Sequence, residues 1–112
     1  KSSAASDVYK RQIKDYLDLH YTEPLKLDQL SERFFINKFY LTRIFKEQFG
    51  VPVNAYLLSL RITHAKQLLR FSSLSVEKIG LECGMKDANY FSRMFKKIEG
   101  VSPGEYRRQW QP

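Results

Sequence analysis

The sequence predicts an all-α protein in which two similar helical lobes are joined by one long helix. Apolar residues recur at the i, i+3, i+4 and i+7 spacing of helix faces along the whole chain, and no alternating pattern of useful strand length is present. The 112 residues, of which 43% are hydrophobic, are enough for one compact domain or two very small ones. An internal repeat divides the helices into the two lobes.

The first lobe is expected to span residues 7–51 and to hold three helices. The first helix ends before Pro24, and its apolar face is formed by Tyr9, Ile13, Tyr16, Leu17 and Tyr21. A short helix near residues 27–35 and a further helix near residues 38–49 follow. The latter ends at Gly50, because glycine adopts the left-handed conformation that terminates helices.

A connecting helix and a second lobe follow, and a short polar segment precedes the first lobe. The connecting helix covers residues 52–71 and would be about 28 Å long at 1.5 Å per residue. The second lobe covers residues 72–112. Its helix boundaries carry residue types that cap helices: Ser75, Asp87 and Ser102 at the starts, and Gly84 and Gly100 at the ends. The small polar residues 1–6 indicate a linker or a remnant of cloning.

The second lobe repeats the first at an offset of 50 residues. Seven positions between residues 40 and 56 are identical to their counterparts: Tyr40/Tyr90, Arg43/Arg93, Phe45/Phe95, Lys46/Lys96, Gly50/Gly100, Val51/Val101 and Tyr56/Tyr106. Upstream the offset falls to 49, which predicts one extra residue in the second turn, near residues 84–86. Each copy therefore has the layout of a helix-turn-helix, with a short helix, a tight turn and a second helix.

The second helix of each helix-turn-helix has an apolar face and a polar face. The core face is predicted to consist of Leu41, Ile44 and Phe45 in the first copy and of Phe91, Met94, Phe95 and Ile98 in the second. The opposite face is a row of Phe39, Thr42, Arg43 and Lys46, matched by Asn89, Ser92, Arg93 and Lys96. Arginine pairs with guanine edges, asparagine with adenine, and aromatic rings with thymine methyl groups, so these rows suit a DNA major groove. Lysines suit phosphates better, and the candidates are Lys38, Lys46, Lys96 and Lys97.

The charge balance favours a polyanionic partner, whereas the composition argues against catalysis. Lys and Arg number 19 against 12 Asp and Glu, and this net charge of +7 would strengthen binding to nucleic acid by counterion release. The single cysteine, Cys83, excludes an internal disulfide and is predicted to be a buried structural residue. His20 and His64 lie far apart in sequence, without metal-ligand spacing. We therefore expect no enzyme activity, metal or cofactor, and the apolar runs are too short for a membrane span.

Residues 79–97 (IGLECGMKDANYFSRMFKK) and 100–107 (GVSPGEYR) closely resemble the signature of the AraC/XylS family of bacterial transcription regulators. The resemblance extends over residues 7–110. It implies a seven-helix domain of two helix-turn-helix subdomains whose recognition helices lie in successive major grooves. The base-facing positions it implies are Phe39, Thr42, Arg43, Ala88, Asn89, Ser92 and Arg93. The phosphate contacts it implies are Asn37, Lys38, Lys46, Lys96 and Lys97.

The resemblance also implies how such a domain is used. Regulators of this family act on promoters in the cytoplasm, commonly as activators that contact RNA polymerase, and commonly carry a separate sensing or dimerising domain. We expect the fragment itself to be monomeric, because its two lobes already supply two recognition helices, which a simple helix-turn-helix protein obtains by dimerising. Two residues depart from the family pattern: Gly80 replaces a usual alanine and Met85 a usual aromatic. These changes predict a softer second lobe. Because Ala88 cannot hydrogen-bond to a base, specificity in that lobe would rest more on Asn89 and Arg93, and we expect uneven contributions of the lobes to binding.

Two other interpretations of the basic faces stay open. A helical module that binds an acidic protein would bind DNA weakly and depend little on Arg43 and Arg93. A protein that coats nucleic acid without sequence preference would show a steep salt dependence and no preferred site. Competition with unrelated DNA distinguishes this last case from sequence-specific binding. In every case we expect Tyr56, Tyr106 and Trp110 to pack against the recognition helices rather than stack on bases.

Overall fold

The computed structural model describes residues 4–111, and it describes the side chains of residues 8–111. All regular secondary structure in this range is helical: α1 (Ala4–His20), α2 (Leu27–Arg33), α3 (Lys38–Phe49), α4 (Val53–Phe71), α5 (Val76–Glu82), α6 (Ala88–Glu99) and α7 (Pro103–Trp110). The predicted all-α fold with seven helices is confirmed for the described residues. The linker expected over residues 1–6 lies outside the described range at its first three positions. Residues 4–6 form the start of α1, since alanine at two of these positions favours a helix.

The chain divides into two compact units, Lys1–Leu58 and Ser59–Pro112. The division falls inside α4, so this helix belongs partly to each unit. Both parts of the helix bury side chains. Those of the first part are Val53 and Leu57, and those of the second part are Ile62, Ala65 and Leu69.

The core of the first unit is formed by α1, α2, α3 and the first turns of α4. Its buried members are Ile13, Leu17, Leu30, Leu41, Phe45, Val53 and Leu57. Phe45 packs edge-on against Tyr56, with ring centroids 5.5 Å apart. The Tyr56 hydroxyl donates a hydrogen bond to Asp18, whose carboxylate also accepts one from Lys14. These bonds fix the start of α4 against α1, and burial raises the pKa of Tyr56 above its usual value.

The core of the second unit repeats this aromatic packing. Phe95 packs edge-on against Tyr106 at the same centroid separation of 5.5 Å, and Phe91 packs against Phe95. Two predictions for this core are wrong, because Met94 is only half-buried and Ile98 is 45% exposed. The fully buried side chains of α6 are those of Phe91 and Phe95, one turn apart. Met94 therefore lies at the edge of the apolar face and Ile98 in the last turn.

Most helix boundaries follow the capping residues that the sequence indicated, and Asn37 is a further cap that it did not. The Asn37 side chain accepts hydrogen bonds from the backbone N–H groups of Phe39 (2.8 Å) and Tyr40 (3.2 Å). Asp87 accepts one from the N–H of Tyr90 (2.7 Å). The caps predicted at Ser75, Ser102, Gly50 and Gly100 are also present. The C-cap of α5 is Cys83, and Gly84, predicted to end this helix, follows it with a positive φ of 92°. Four residues separate α2 from α3 and five separate α5 from α6, which confirms the extra residue in the second turn.

Gly80 lies where α5 packs closely on α6. It is buried, and a Cβ atom at this position would lie 2.9 Å from both Cγ and Cδ2 of Phe91. We expected Gly80 only to weaken its helix. In the structure its missing side chain allows the Phe91 ring to lie directly against the backbone of α5, so the residue also serves packing.

Trp110 does not pack as the sequence suggested. The residue is 53% exposed, and its ring centroid lies 3.9 Å from the guanidinium carbon of Arg70 and 6.1 Å from the centroid of the Tyr106 ring. Trp110 is in the last turn of α7, beyond the turn that packs on α6, so it covers Arg70 instead of a recognition helix. Tyr56 and Tyr106, in contrast, contact Phe45 and Phe95 of α3 and α6 as expected.

Candidate nucleic-acid interface

Helix α3 presents all three of its predicted base-reading side chains to solvent. Phe39 is 76% exposed, and Thr42 and Arg43 are exposed beside it, one turn further along. The Thr42 hydroxyl donates a hydrogen bond to the backbone oxygen of Lys38 (2.9 Å), so its oxygen can still accept one from a base. The outward orientation of this row follows from burial of the opposite face, which holds Leu41, Ile44 and Phe45.

Helix α6 presents its predicted set less uniformly. Asn89 and Arg93 are exposed and lie four residues apart, so they share one edge of the helix. Ala88 and Ser92 are half-buried beside them. Asn89 and Arg93 offer the paired donors and acceptors that can distinguish base edges, whereas Ala88 offers only a methyl group. The side chains with the greatest reach for base contacts in this helix are therefore Asn89 and Arg93.

The predicted phosphate-binding residues differ in how free they are to bind. Lys46, Lys96 and Lys97 are exposed on the last turns of their helices. The Asn37 side-chain oxygen caps α3, so only its amide group can donate to a phosphate. Lys38 is half-buried and its Nζ atom lies 3.0 Å from Oδ1 of Asp28, so the carboxylate would compete with a phosphate for it.

Tyr40, Tyr90 and Lys86 lie beside these rows, and the sequence did not predict them as site residues. The guanidinium carbon of Arg43 lies 5.3 Å from the ring centroid of Tyr40, and that of Arg93 lies 5.9 Å from the ring centroid of Tyr90. The Nζ atom of Lys86, in the turn before α6, lies 5.2 Å from the Tyr90 ring. Identity of Tyr40 and Tyr90 in the repeat was the available signal, and nothing in the sequence pattern singled out Lys86.

The cysteine and the histidine His20 have surroundings that account for them without catalysis or metal binding. Cys83 is buried, as predicted, and burial raises the pKa of its thiol to about 12, so the thiol is neutral near pH 7. The Nδ1 atom of His20 lies 2.6 Å from Oε2 of Glu23. Among the described side chains, those of residues 8–111, no cluster of three or more His, Cys, Asp or Glu could hold a metal ion. In the same range no helix is both long enough and apolar enough to cross a membrane.

Residues 30–109 match the family described as a helix-turn-helix domain. The chain is 36% identical over 110 residues to the uncharacterized HTH-type transcriptional regulator YijO of Escherichia coli K12, covering 98% of this chain and 39% of YijO. It is 39% identical over 87 residues to the HTH-type transcriptional activator RhaR of Cronobacter sakazakii, covering 78% of this chain and 31% of RhaR. The chain thus spans about two fifths or less of the length of these curated relatives.

The fold is also shared with solved structures. A transcriptional regulator from Chromobacterium violaceum, described as an AraC-type DNA-binding domain-containing protein, superimposes with a TM-score of 0.82 at 31% sequence identity. The superposition covers 98% of this chain and 99% of that one. Sequence match, fold and paired helix-turn-helix geometry agree, and the chain belongs to the AraC/XylS-type family of helix-turn-helix domains found in bacterial transcription regulators.

Proposed function

We propose that this chain binds specific sequences of double-stranded DNA by inserting α3 and α6 into the major groove at a promoter. The observation that carries the proposal is the recurrence of an exposed arginine and lysine (Arg43 and Lys46, Arg93 and Lys96), at a fixed offset, on two helices that each end a helix-turn-helix. A single basic helix face is commonly only a solvated surface. Arg43 and Arg93 occupy the same position on both helices, and family membership supplies the reason for that coincidence.

Each of the two rows offers side chains that fit particular base edges. Arg43 and Arg93 each offer a guanidinium fork that fits O6 and N7 of guanine, and Asn89 fits N6 and N7 of adenine. Phe39 offers an apolar surface for a thymine methyl group, and Thr42 offers an adaptable hydroxyl. Ser92 in the second row offers an adaptable hydroxyl, and Ala88 beside it offers a methyl group; both side chains are half-buried. Recognition by the two units would give two half-sites about 10 base pairs apart.

Phosphate contacts would supply most of the affinity without reading sequence. The candidates are Asn37, Lys38, Lys46, Lys96 and Lys97, to which the exposed Lys86 is added from the structure. Each phosphate neutralised makes the slope of log K against log salt more negative by about 0.9. Because Lys38 also pairs with Asp28, we expect its contribution to be smaller than that of Lys46.

Activation, contact with RNA polymerase and dimerisation are properties of a longer regulator of which this domain would be a part. RhaR, a relative, is named as a transcriptional activator, which favours activation and contact with RNA polymerase for this protein too. We propose a monomeric domain that acts in the cytoplasm, with any dimerisation supplied elsewhere in a longer chain. No cofactor, metal or enzymatic step is part of this function.

The test is selection of bound duplexes from a random pool of about 30 base pairs. Wild type, Arg43→Ala and Arg93→Ala are compared with Arg108→Ala, which loses the same charge from the exposed face of α7. We expect a two-part motif in which each recognition-helix variant blurs its own half at a cost of about 1 to 3 kcal/mol. The Arg108 variant should select the wild-type motif. Enrichment of no motif by the wild type, or the same motif by all variants, would contradict the proposal.

A further inference from the structure

Both recognition helices pair the predicted base-reading arginine with a tyrosine three residues earlier. The Arg43 guanidinium carbon lies 5.3 Å from the Tyr40 ring centroid, and that of Arg93 lies 5.9 Å from the Tyr90 ring centroid. Residues three apart on a helix are neighbours on its surface, and both distances are within the range of a cation–π contact. The same pair therefore occurs twice, once in each unit.

The tyrosine backbone is itself held in place by the helix cap. Tyr40 and Tyr90 are each the third residue of their helix, and their N–H groups donate to the side chains of Asn37 and Asp87. The amide of Tyr40 is 3.2 Å from Oδ1 of Asn37, and that of Tyr90 is 2.7 Å from Oδ1 of Asp87. Cap, ring and guanidinium thus form a chain of contacts that begins at the fixed start of the helix.

We propose that Tyr40 and Tyr90 are positioning residues that order the side chains of Arg43 and Arg93 before DNA arrives. An arginine has many rotamers, and binding that immobilises it opposes association through lost conformational entropy. A ring that already restricts the guanidinium reduces this loss. The inference rests on the proposed function, since it assigns the tyrosines a role through base-reading arginines rather than a base contact of their own.

Lys86 in the second unit provides a control, because a cation near the Tyr90 ring can be removed there without changing the ring or Arg93. Lys86 lies 5.2 Å from the Tyr90 ring but comes from the turn and not from the base-reading row. Lys86→Ala removes one cation near this ring and leaves Arg93 in place. We expect this variant to change salt dependence but not base preference at the position that Arg93 reads.

Binding is measured for the selected site and for duplexes altered at the base pair assigned to Arg93. Tyr90→Leu keeps an apolar side chain but removes the ring, whereas Tyr90→Phe keeps the ring and removes only the hydroxyl. We expect Tyr90→Leu to weaken binding about two- to five-fold and to reduce base discrimination in the second half-site only, with Tyr90→Phe close to wild type. Tyr40→Leu should act in the same way on the first half-site.

A double-mutant cycle separates positioning from direct contact. In an Arg93→Ala background, Tyr90→Leu should have no further effect on binding. A further loss in that background, or a loss from Tyr90→Phe equal to that from Tyr90→Leu, would show that the tyrosine acts on DNA or on the fold directly and would overturn the inference. Thermal unfolding of each variant identifies loss of the fold.

A second measurement does not require DNA. Relaxation of the arginine ¹⁵Nε–Hε groups in the free protein reports their motion on the picosecond to nanosecond timescale. Tyr→Leu should make the neighbouring arginine more mobile and Tyr→Phe should not. Equal mobility in wild type and Tyr→Leu overturns the inference whatever the DNA result. Ordered arginines in a wild-type protein that selects no motif would instead refute the proposed function, and with it the base-reading purpose of the pair.

Discussion

Replacing Gly80 by alanine sets helix propensity against packing. In an exposed helix this change stabilises by about 1 kcal/mol, because glycine has more backbone freedom to lose on folding. Gly80 is buried, however, and the added Cβ would lie 2.9 Å from Cγ and Cδ2 and 3.1 Å from Cβ of Phe91. The contact with the Phe91 Cβ atom means that rotation of the ring alone cannot relieve the overlap.

The expected result is a net loss of stability. Overpacking a well-packed core costs about 1 to 3 kcal/mol, and subtracting the gain in propensity leaves a destabilisation of about 1 kcal/mol. The cost should fall when the contacting side-chain atoms are removed. In a Phe91→Ala background, which removes Cγ and Cδ2 and leaves only the Cβ contact at 3.1 Å, Gly80→Ala should be less destabilising than in the wild type by about 1 kcal/mol.

The assay is urea unfolding of the two single variants, the double variant and a control. Gly104→Ala in α7 is the matched control, since its Cβ would meet only Nη1 of Arg108 at an ordinary 3.7 Å. This control should be neutral or stabilising. If Gly80→Ala alone stabilises as much as Gly104→Ala does, the overlap is relieved at no cost and the packing argument is wrong.

Three further predictions concern a cap, the cysteine and a phosphate contact. Asp87→Ala should cost about 1 kcal/mol in urea unfolding through loss of the α6 cap, whereas Asp87→Asn should stay near wild type; equal losses would contradict a capping role. The Cys83 thiol should lower stability by about 1 kcal/mol between pH 7 and pH 10, because the unfolded thiol ionises near pH 9 while the folded pKa is about 12. Cys83→Ala should lack this component, and an identical pH dependence in both proteins would refute it. Lys46→Ala should reduce the salt slope of DNA binding by about 0.9 without altering the selected motif, and an altered motif would assign Lys46 to base reading.

Local sequence signals were sufficient for most of the fold. Helix ends at Gly50, Asp87 and Gly100 depend on side chains and backbone angles within a few residues, so residue type alone predicts them. The extra residue in the second turn also followed from the sequence, because a change in repeat offset must be accommodated between helices.

The mispredicted residues depend on which helix lies opposite them. Periodicity assigns Ile98 to the apolar face of α6, but no periodicity shows whether another element covers the last turn of that face. The predicted packing of Trp110 on a recognition helix is wrong for the same reason, because this residue lies at the end of α7. Gly80 looks like a defect when α5 is considered alone, and its packing role appears only once the position of Phe91 is known.

For the candidate site, the sequence could predict the rows but not the contacts beside them. An outward row follows from the helical wheel, and exposure of Phe39, Arg43, Asn89 and Arg93 agrees with that placement. The approach of Tyr40 to Arg43, and of Lys86 to Tyr90, depends on rotamers that no residue pattern specifies. That these residues contact DNA stays a prediction.

The two recognition helices share their geometry but differ in charge at their first turn. Helix α3 begins with the neutral cap Asn37 followed by Lys38, whereas α6 begins with the carboxylate of Asp87 followed by Ala88. A phosphate near the start of α3 would meet an amide and a cation, while one near the start of α6 would meet a negative charge that opposes it. We therefore expect the second unit to draw its phosphate contacts from the turn before α6 or from its last turn, where Lys96 and Lys97 lie. Charge placement alone thus predicts that the two lobes contribute unevenly to DNA binding, even if their base-facing side chains were equivalent.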